Sequence, residues 1–200
     1  MKKYFLLLPI LFFTMQQCFS QKVLVNVMLD NKKSSARSDT IYYDFNRKLK
    51  WEDFQGKPDL NHFGGAVTAS GYAFDSELNY DGQNIYLNIK VYTFFSKLAS
   101  WKKSQINSDY HLLHEQHHFD ITRLGAEQLV EKLKNAKFTS ENYVTLLNSI
   151  FDNTRKESDN LQKQYDRETI HSIDTARQDE WNKIIESAIQ QLSSQVAKAP

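Results

Sequence analysis

The 200-residue chain carries 25 Lys+Arg, 24 Asp+Glu and one cysteine. That length suits a single domain with a real core, and no repeat suggests a solenoid. Nearly balanced charge without basic runs excludes an electrostatic footprint for nucleic acid.

The N-terminus reads as an export signal. Lys2 and Lys3 precede an apolar run from Tyr4 to Met15 broken only by Pro9 and Thr14, and Cys18-Phe19-Ser20 offers a small-x-small site before Gln21. The run is short for a membrane span, which needs about 20 residues. Met15-Gln16-Gln17 matches a lipobox poorly. A signal peptide over 1–20 and one domain over 21–200 are therefore expected. The product would be periplasmic, envelope-associated or secreted, with no stable membrane insertion after cleavage. The cysteine leaves with the signal, which removes thiolate nucleophiles, disulfides and Cys-metal sites. Loss of Lys2 and Lys3 leaves 23 basic residues against 24 acidic ones.

Val23 to Met28 predicts a first strand, Asn31 to Asp39 a polar loop, and Ile41 to Phe45 a second strand. The aromatic, turn-rich segment Lys50 to Gly56 follows. Ala66 to Phe74 alternates loosely, and Asn84 to Phe95 places Ile85, Leu87, Ile89 and Val91 on one face. Asp81-Gly82 between them predicts a hairpin. Gly64, Gly65 and Gly71 mark a bulge or close backbone approaches.

After Trp101 the pattern becomes helical. Ser108 or Asp109 can cap an amphipathic helix running to about Asn135, and Ser140 can cap a second carrying Leu146, Leu147, Ile150 and Phe151. A third, from about Ala176 to Val196, aligns Trp181, Ile184, Ile185, Ala188, Ile189, Leu192 and Val196 in an apolar core stripe. The fold class is α+β: an N-terminal antiparallel sheet, then a helix bearing the site, then further helices.

The chemistry sits in His114-Glu115-Gln116-His117-His118. At four-residue spacing, the Cβ atoms of His114 and His118 lie about 5–6 Å apart on one helix face. Both imidazoles can then reach one Zn²⁺ at about 2.0–2.1 Å. Glu115, turned beside the first ligand, can accept a proton from water attacking a polarised carbonyl. Chance produces this spacing in roughly one such chain in a hundred. His111 cannot share an ion with His118, about 10 Å along the axis, and His117 points away from the pair, towards Asp120. A catalytic zinc takes three protein ligands and keeps one position open. Downstream, His171 is the only histidine and the third ligand expected, with Asp166 and Glu168 as carboxylate alternatives.

The residues in four places resemble a family of bacterial exported proteins of unknown function described as candidate zinc peptidases. These are Trp51-x-x-Phe54-x-Gly56, Ser100-Trp101, Leu112-Leu113-x-His114-Glu115-Gln116-x-His118-Phe119-Asp120-Ile121, and Tyr165-Asp166-x-x-Thr169-x-His171 with Gln178-x-x-Trp181. The resemblance implies a zincin-like fold and metal-dependent proteolysis, with His114, His118 and Glu115 in their usual roles, and it strengthens His171. One departure is Ser172, where glycine is expected. The resulting expectation is a secreted zinc peptidase acting on a protein or peptide. The alternatives are an envelope protein with a structural zinc, and a zinc hydrolase acting on another amide such as a peptidoglycan cross-link. Tyr165, near His171 in sequence, is a candidate for oxyanion stabilisation.

Overall fold

The computed structural model describes residues 21–30 and 38–198; the expected signal peptide and most of the 31–39 loop lie outside them. Strands come first: β1 (Lys22–Leu29), β2 (Thr40–Tyr42), β3 (Ala66–Val67), β4 (Ser70–Tyr80), β5 (Asn84–Ser96) and β6 (Trp101–Lys102). Three long helices follow: α1 (Asp109–Asn135), α2 (Tyr143–Thr169) and α3 (Thr175–Lys198). The α+β order matches expectation. No helix among the described residues is long and apolar enough to cross a membrane.

β5 is the spine of the main sheet. β4 runs antiparallel along its length, from Tyr80 opposite Ile85 to Ser70 opposite Phe95, around a turn with Gly82 at φ +96°. The other edge of β5 is shared by β1, parallel with Val25 opposite Leu87, and β2, antiparallel with Ile41 opposite Phe95. The sheet is thus mixed, and the antiparallel expectation needs correction. Alternation reveals which face of a strand is apolar but not the direction of its partner. Only the Asp-Gly turn encodes a direction locally, and the long chain between β1 and β5 permits the parallel pair.

Leu87, Ile89 and Val91 of β5 pack against Ala126, Leu129, Val130 and Leu133 of α1. Ile41, Leu49, Phe54 and Phe95 close over Phe119, while Ile121 faces Tyr165 of α2 and Trp181, Ile185 and Ile189 of α3. α1 is therefore a central helix with the sheet on one side and two helices on the other. Its middle turns bury His114, Glu115, Gln116, His117, Asp120 and Arg123, which corrects the amphipathic reading. Buried polar groups persist only where paired, and each of these has a partner on another segment or a neighbouring turn, Glu115 through the Thr68 hydroxyl. Of the apolar stripe on α3, Trp181, Ile185, Ile189 and Leu192 are buried while Ile184 and Val196 are exposed.

The resemblance motifs have structural work. Gly56 donates its N–H to Ser100 O at 2.7 Å, and a Cβ there would lie 2.6 Å from Leu98 O. Gln116 accepts from Leu49 N at 2.7 Å and donates to Asp120 at 2.8 Å. Asp120 also accepts from Tyr43 OH at 2.7 Å and lies 3.3 Å from His117 Nδ1. Those bonds tie the segment after β2 to α1. His117 is accounted for as expected. At the other crossing, a Cβ on Gly125 would meet Ser158 Oγ at 2.8 Å, so α1 and α2 approach closely only because that residue is glycine.

Candidate metal centre

Ser108 caps α1 by accepting from His111 N at 3.3 Å, and its Oγ lies 2.5 Å from His111 Nδ1. That contact occupies His111 at the helix end. One turn on, the Nε2 atoms of His114 and His118 stand 3.3 Å apart. A tetrahedral ion held at about 2.05 Å sets its ligand atoms about 3.3 Å apart.

What aims these rings comes from other helices. His114 Nδ1 donates to Gln178 Oε1 at 2.9 Å, and His118 Nδ1 donates to Gln162 Oε1 at 2.6 Å. Gln162 cannot be flipped, because its Nε2 donates to the His118 carbonyl at 2.9 Å. Gln178 Nε2 donates to Tyr165 OH and Asn182 Oδ1, each at 2.7 Å. With Nδ1 carrying the hydrogen, the neutral ring of each histidine turns a lone pair on Nε2 inward. An imidazole whose outer N–H is held by a carbonyl oxygen is the usual arrangement of a metal ligand.

The third direction is filled from α2 and the turn after it. Asp166 Oδ1 lies 3.0 Å from His118 Nε2, 3.3 Å from His114 Nε2 and 3.2 Å from His171 Nδ1. His114, Asp166 and His171 offer ligand atoms all within 4.8 Å of one another. α2 starts at Tyr143 behind Asn142 rather than at the expected Ser140 cap, and it runs on through Thr169. Tyr165–Thr169 is thus its last turn. Ile170, His171 and Ser172 then adopt φ of 49°, 50° and 69°, a left-handed run that non-glycine residues rarely make. Ser172 stands where glycine was expected, and its backbone is of the kind glycine takes freely.

Glu168 turns elsewhere: it pairs with Arg177 and accepts from Trp181 Nε1 at 3.1 Å. Those partners engage its carboxylate, and it is not among the groups whose ligand atoms converge. Tyr165 is fully buried and stacks on His114 with centroids 4.6 Å apart. Its hydroxyl donates to His114 O at 3.4 Å while accepting from Gln178. It holds the His114 ring and does not line the cleft, which corrects the oxyanion suggestion.

Two imidazole nitrogens and a carboxylate converging at 3.0–3.3 Å call for positive charge among them, from a metal ion or, without one, from a proton on an Nε2 atom. Burial disfavours charge on His118, but the hydrogen bond and charge of Asp166 outweigh it and push its pKa up to about 9. Burial likewise works against the Asp166 carboxylate, yet the hydrogen bonds from His114 and His118 hold its pKa far below the usual range. The donor set, two anchored imidazoles with a carboxylate and a third imidazole adjacent, fits Zn²⁺.

These groups open onto a cleft of about 410 Å³ with His118, Thr122 and Glu115 of α1 on its floor. The Ala66–Tyr72 segment forms one wall, and α2 from Arg155 to Asp166 forms the other. Glu115 is nearly buried, and Thr68 donates its hydroxyl to Glu115 Oε2 at 2.7 Å. Thr68 falls in the break that splits the expected 66–74 strand into β3 and β4. The structure thus brings His114, Glu115, His118 and His171 together with Asp166, one of the two carboxylate alternatives, and adds Thr68, Gln162, Gln178 and His62. Gln178 was visible inside a quoted motif; Thr68, Gln162 and His62 carried no local signal.

Compared with family models, curated proteins and solved structures, the chain matches none.

Proposed function

We propose that this chain is a zinc-dependent hydrolase acting on peptide bonds, exported after loss of its N-terminal segment. The observation that carries the reading is the pair of imidazoles with Nε2 atoms 3.3 Å apart, each outer N–H held by a glutamine carbonyl, with Glu115 sharing one cleft with His118. His114, His118 and Asp166 would hold the ion, because their three mutual distances of 3.0–3.3 Å approximate the edges of one tetrahedron face. A second ligand set, His171 in place of Asp166, is favoured by the strained turn that brings His171 within 3.2 Å of the carboxylate. When bound, zinc there supplies a Lewis acid that polarises a carbonyl and brings the acidity of water towards neutrality.

Glu115 takes the proton of the attacking water at its carboxylate. The Thr68 hydroxyl fixes Oε2 by its 2.7 Å bond. Asp166 and the glutamines keep the imidazoles from turning.

The cleft suits an extended chain. Along α2, Arg155 lies eleven residues before Asp166, about 16 Å of helix, and both line the cleft. That length takes roughly five extended residues.

The test is Glu115→Gln at matched zinc occupancy, with an unfolded protein and a peptide library as substrates. Hydrolysis should fall by about 10²–10⁴-fold with zinc content unchanged. Equal rates in the two proteins would refute the mechanism. Zinc stoichiometry in Asp166→Asn and His171→Ala separates the two ligand sets.

A further inference from the structure

We propose that His62 is a catalytic residue that donates its Nε2 hydrogen to the substrate carbonyl oxygen as that oxygen becomes negative. The proposal rests on the hydrolase reading above.

His62 lines the same cleft as Glu115, His118, Asp166 and His171. It lies before β3 in an exposed stretch from Leu60 to Phe63, yet three contacts pin it. Its ring meets Trp101 edge-on at 5.3 Å between centroids, and Lys103 Nζ donates to its carbonyl at 2.6 Å. Gly64 N donates to its Nδ1 at 3.1 Å. The Gly64 position permits this closeness, because a Cβ there would lie 3.2 Å from the same Nδ1. The backbone donor makes Nδ1 the acceptor, so the neutral ring carries its hydrogen on Nε2. Nε2 has no hydrogen-bond partner among the described residues. The ring stands 6.2 Å from that of His171, at the metal end of the cleft.

Elimination points the same way. The Thr68 hydroxyl serves Glu115, and Gln162 Nε2 serves His118 O and Thr122. Thr122 and Ser70 bond each other, while His171 Nδ1 faces Asp166. The Tyr72 hydroxyl is sealed from solvent. Arg155 is far along α2. Among the described residues, His62 is left as the uncommitted donor beside the cluster.

The step balances without another reactant. A water oxygen bonds to the carbonyl carbon while its proton passes to Glu115. The π pair moves onto the carbonyl oxygen, and the Nε2–H of His62 bonds to that oxygen without being transferred. A donor aimed at developing charge acts in the transition state, so its loss lowers kcat and leaves KM nearly unchanged.

The test uses two probes on the zinc-loaded protein. A dipeptide phosphonamidate presents a charged tetrahedral oxygen, whereas acetohydroxamate engages the metal alone. His62→Ala should weaken phosphonamidate binding by about 10–100-fold, the range for a hydrogen bond to a charged group. Acetohydroxamate affinity and zinc content should be unchanged, and His62→Gln, which keeps an N–H donor, should recover part of the loss. Imidazole ¹⁵N shifts of the zinc-free protein should show His62 as the Nε2–H tautomer. An Nδ1–H tautomer, or equal phosphonamidate affinity in wild type and His62→Ala, would overturn the proposal. The readings fail separately: a chain that takes up no zinc sinks the hydrolase, whereas equal affinities in a zinc-loaded chain sink only the role of His62.

Discussion

Gln178→Leu tests whether the glutamine carbonyls build the metal site. The side chain is 1% exposed and makes three bonds: it accepts from His114 Nδ1 at 2.9 Å and donates to Tyr165 OH and Asn182 at 2.7 Å. Leucine fills similar space but leaves the His114 N–H buried and unmatched, which costs about 1–3 kcal/mol of stability in the zinc-free protein. The Tyr165 hydroxyl keeps its bond to His114 O and adds little. Freed of its anchor, the His114 ring samples orientations that turn Nε2 away. Loss of such a partner weakens metal binding by about 10–100-fold, or about 1.4–2.8 kcal/mol. Competition against a chromophoric chelator measures the affinity, and urea unfolding of the zinc-free form measures the stability. Gln190→Leu, at an exposed position of α3, is the control. Zinc affinity within twofold of wild type, in a variant that keeps its helical circular dichroism, would refute the reasoning.

Other perturbations probe the frame. Gly56→Ala places a Cβ 2.6 Å from Leu98 O, and because backbone cannot yield cheaply, urea unfolding should show a loss of about 1–3 kcal/mol; an unchanged midpoint contradicts the close approach. Ser172→Gly relieves a left-handed residue at φ 69°, a strain of about 1–2 kcal/mol partly offset by the greater freedom of unfolded glycine. The melting temperature should rise or hold, and a fall would show that the Ser172 side chain matters. Asp81 accepts from Tyr86 OH at 2.7 Å and from the amides of Asn84 and Gln83, which hold its carboxyl below the usual range. Its contribution to the hairpin is present above the ordinary carboxylate pKa of about 3.9 and is lost as pH falls through the lower folded value. The amide shifts of Gln83 and Asn84 should therefore move only in strong acid, and a midpoint at or above 4 would contradict the bonds.

Strands and helices were legible wherever one local pattern governed them. The face of β5, the Asp-Gly turn and the span of α1 all follow from periodicity and capping. The direction of β1 did not, because strand pairing is a long-range choice with no trace in alternation. The end of α2 was not marked for a related reason: Tyr165 to Thr169 is polar because it serves the site, so no apolar periodicity carries the helix through its last turn. His114, Glu115 and His118 were readable since one helix face sets their spacing. Thr68, Gln162 and His62 meet them only through tertiary docking, and a lone threonine, glutamine or histidine announces nothing locally.

The α1–α2 pairing also determines where this chain can change length. Ser158, Gln162 and Asp166 recur every four residues on α2 and meet Gly125, His118 and His114 in reverse order on α1. One residue inserted or deleted between 118 and 125, or between 158 and 166, turns everything beyond it by about 100°. Packing and donor set would then be lost together, so no small drift in helix length could be neutral. Homologues should absorb insertions at the hairpin tip near Gly82 or in the turn from Ala136 to Asn142, and hold the two intervals invariant in length even where their apolar residues vary.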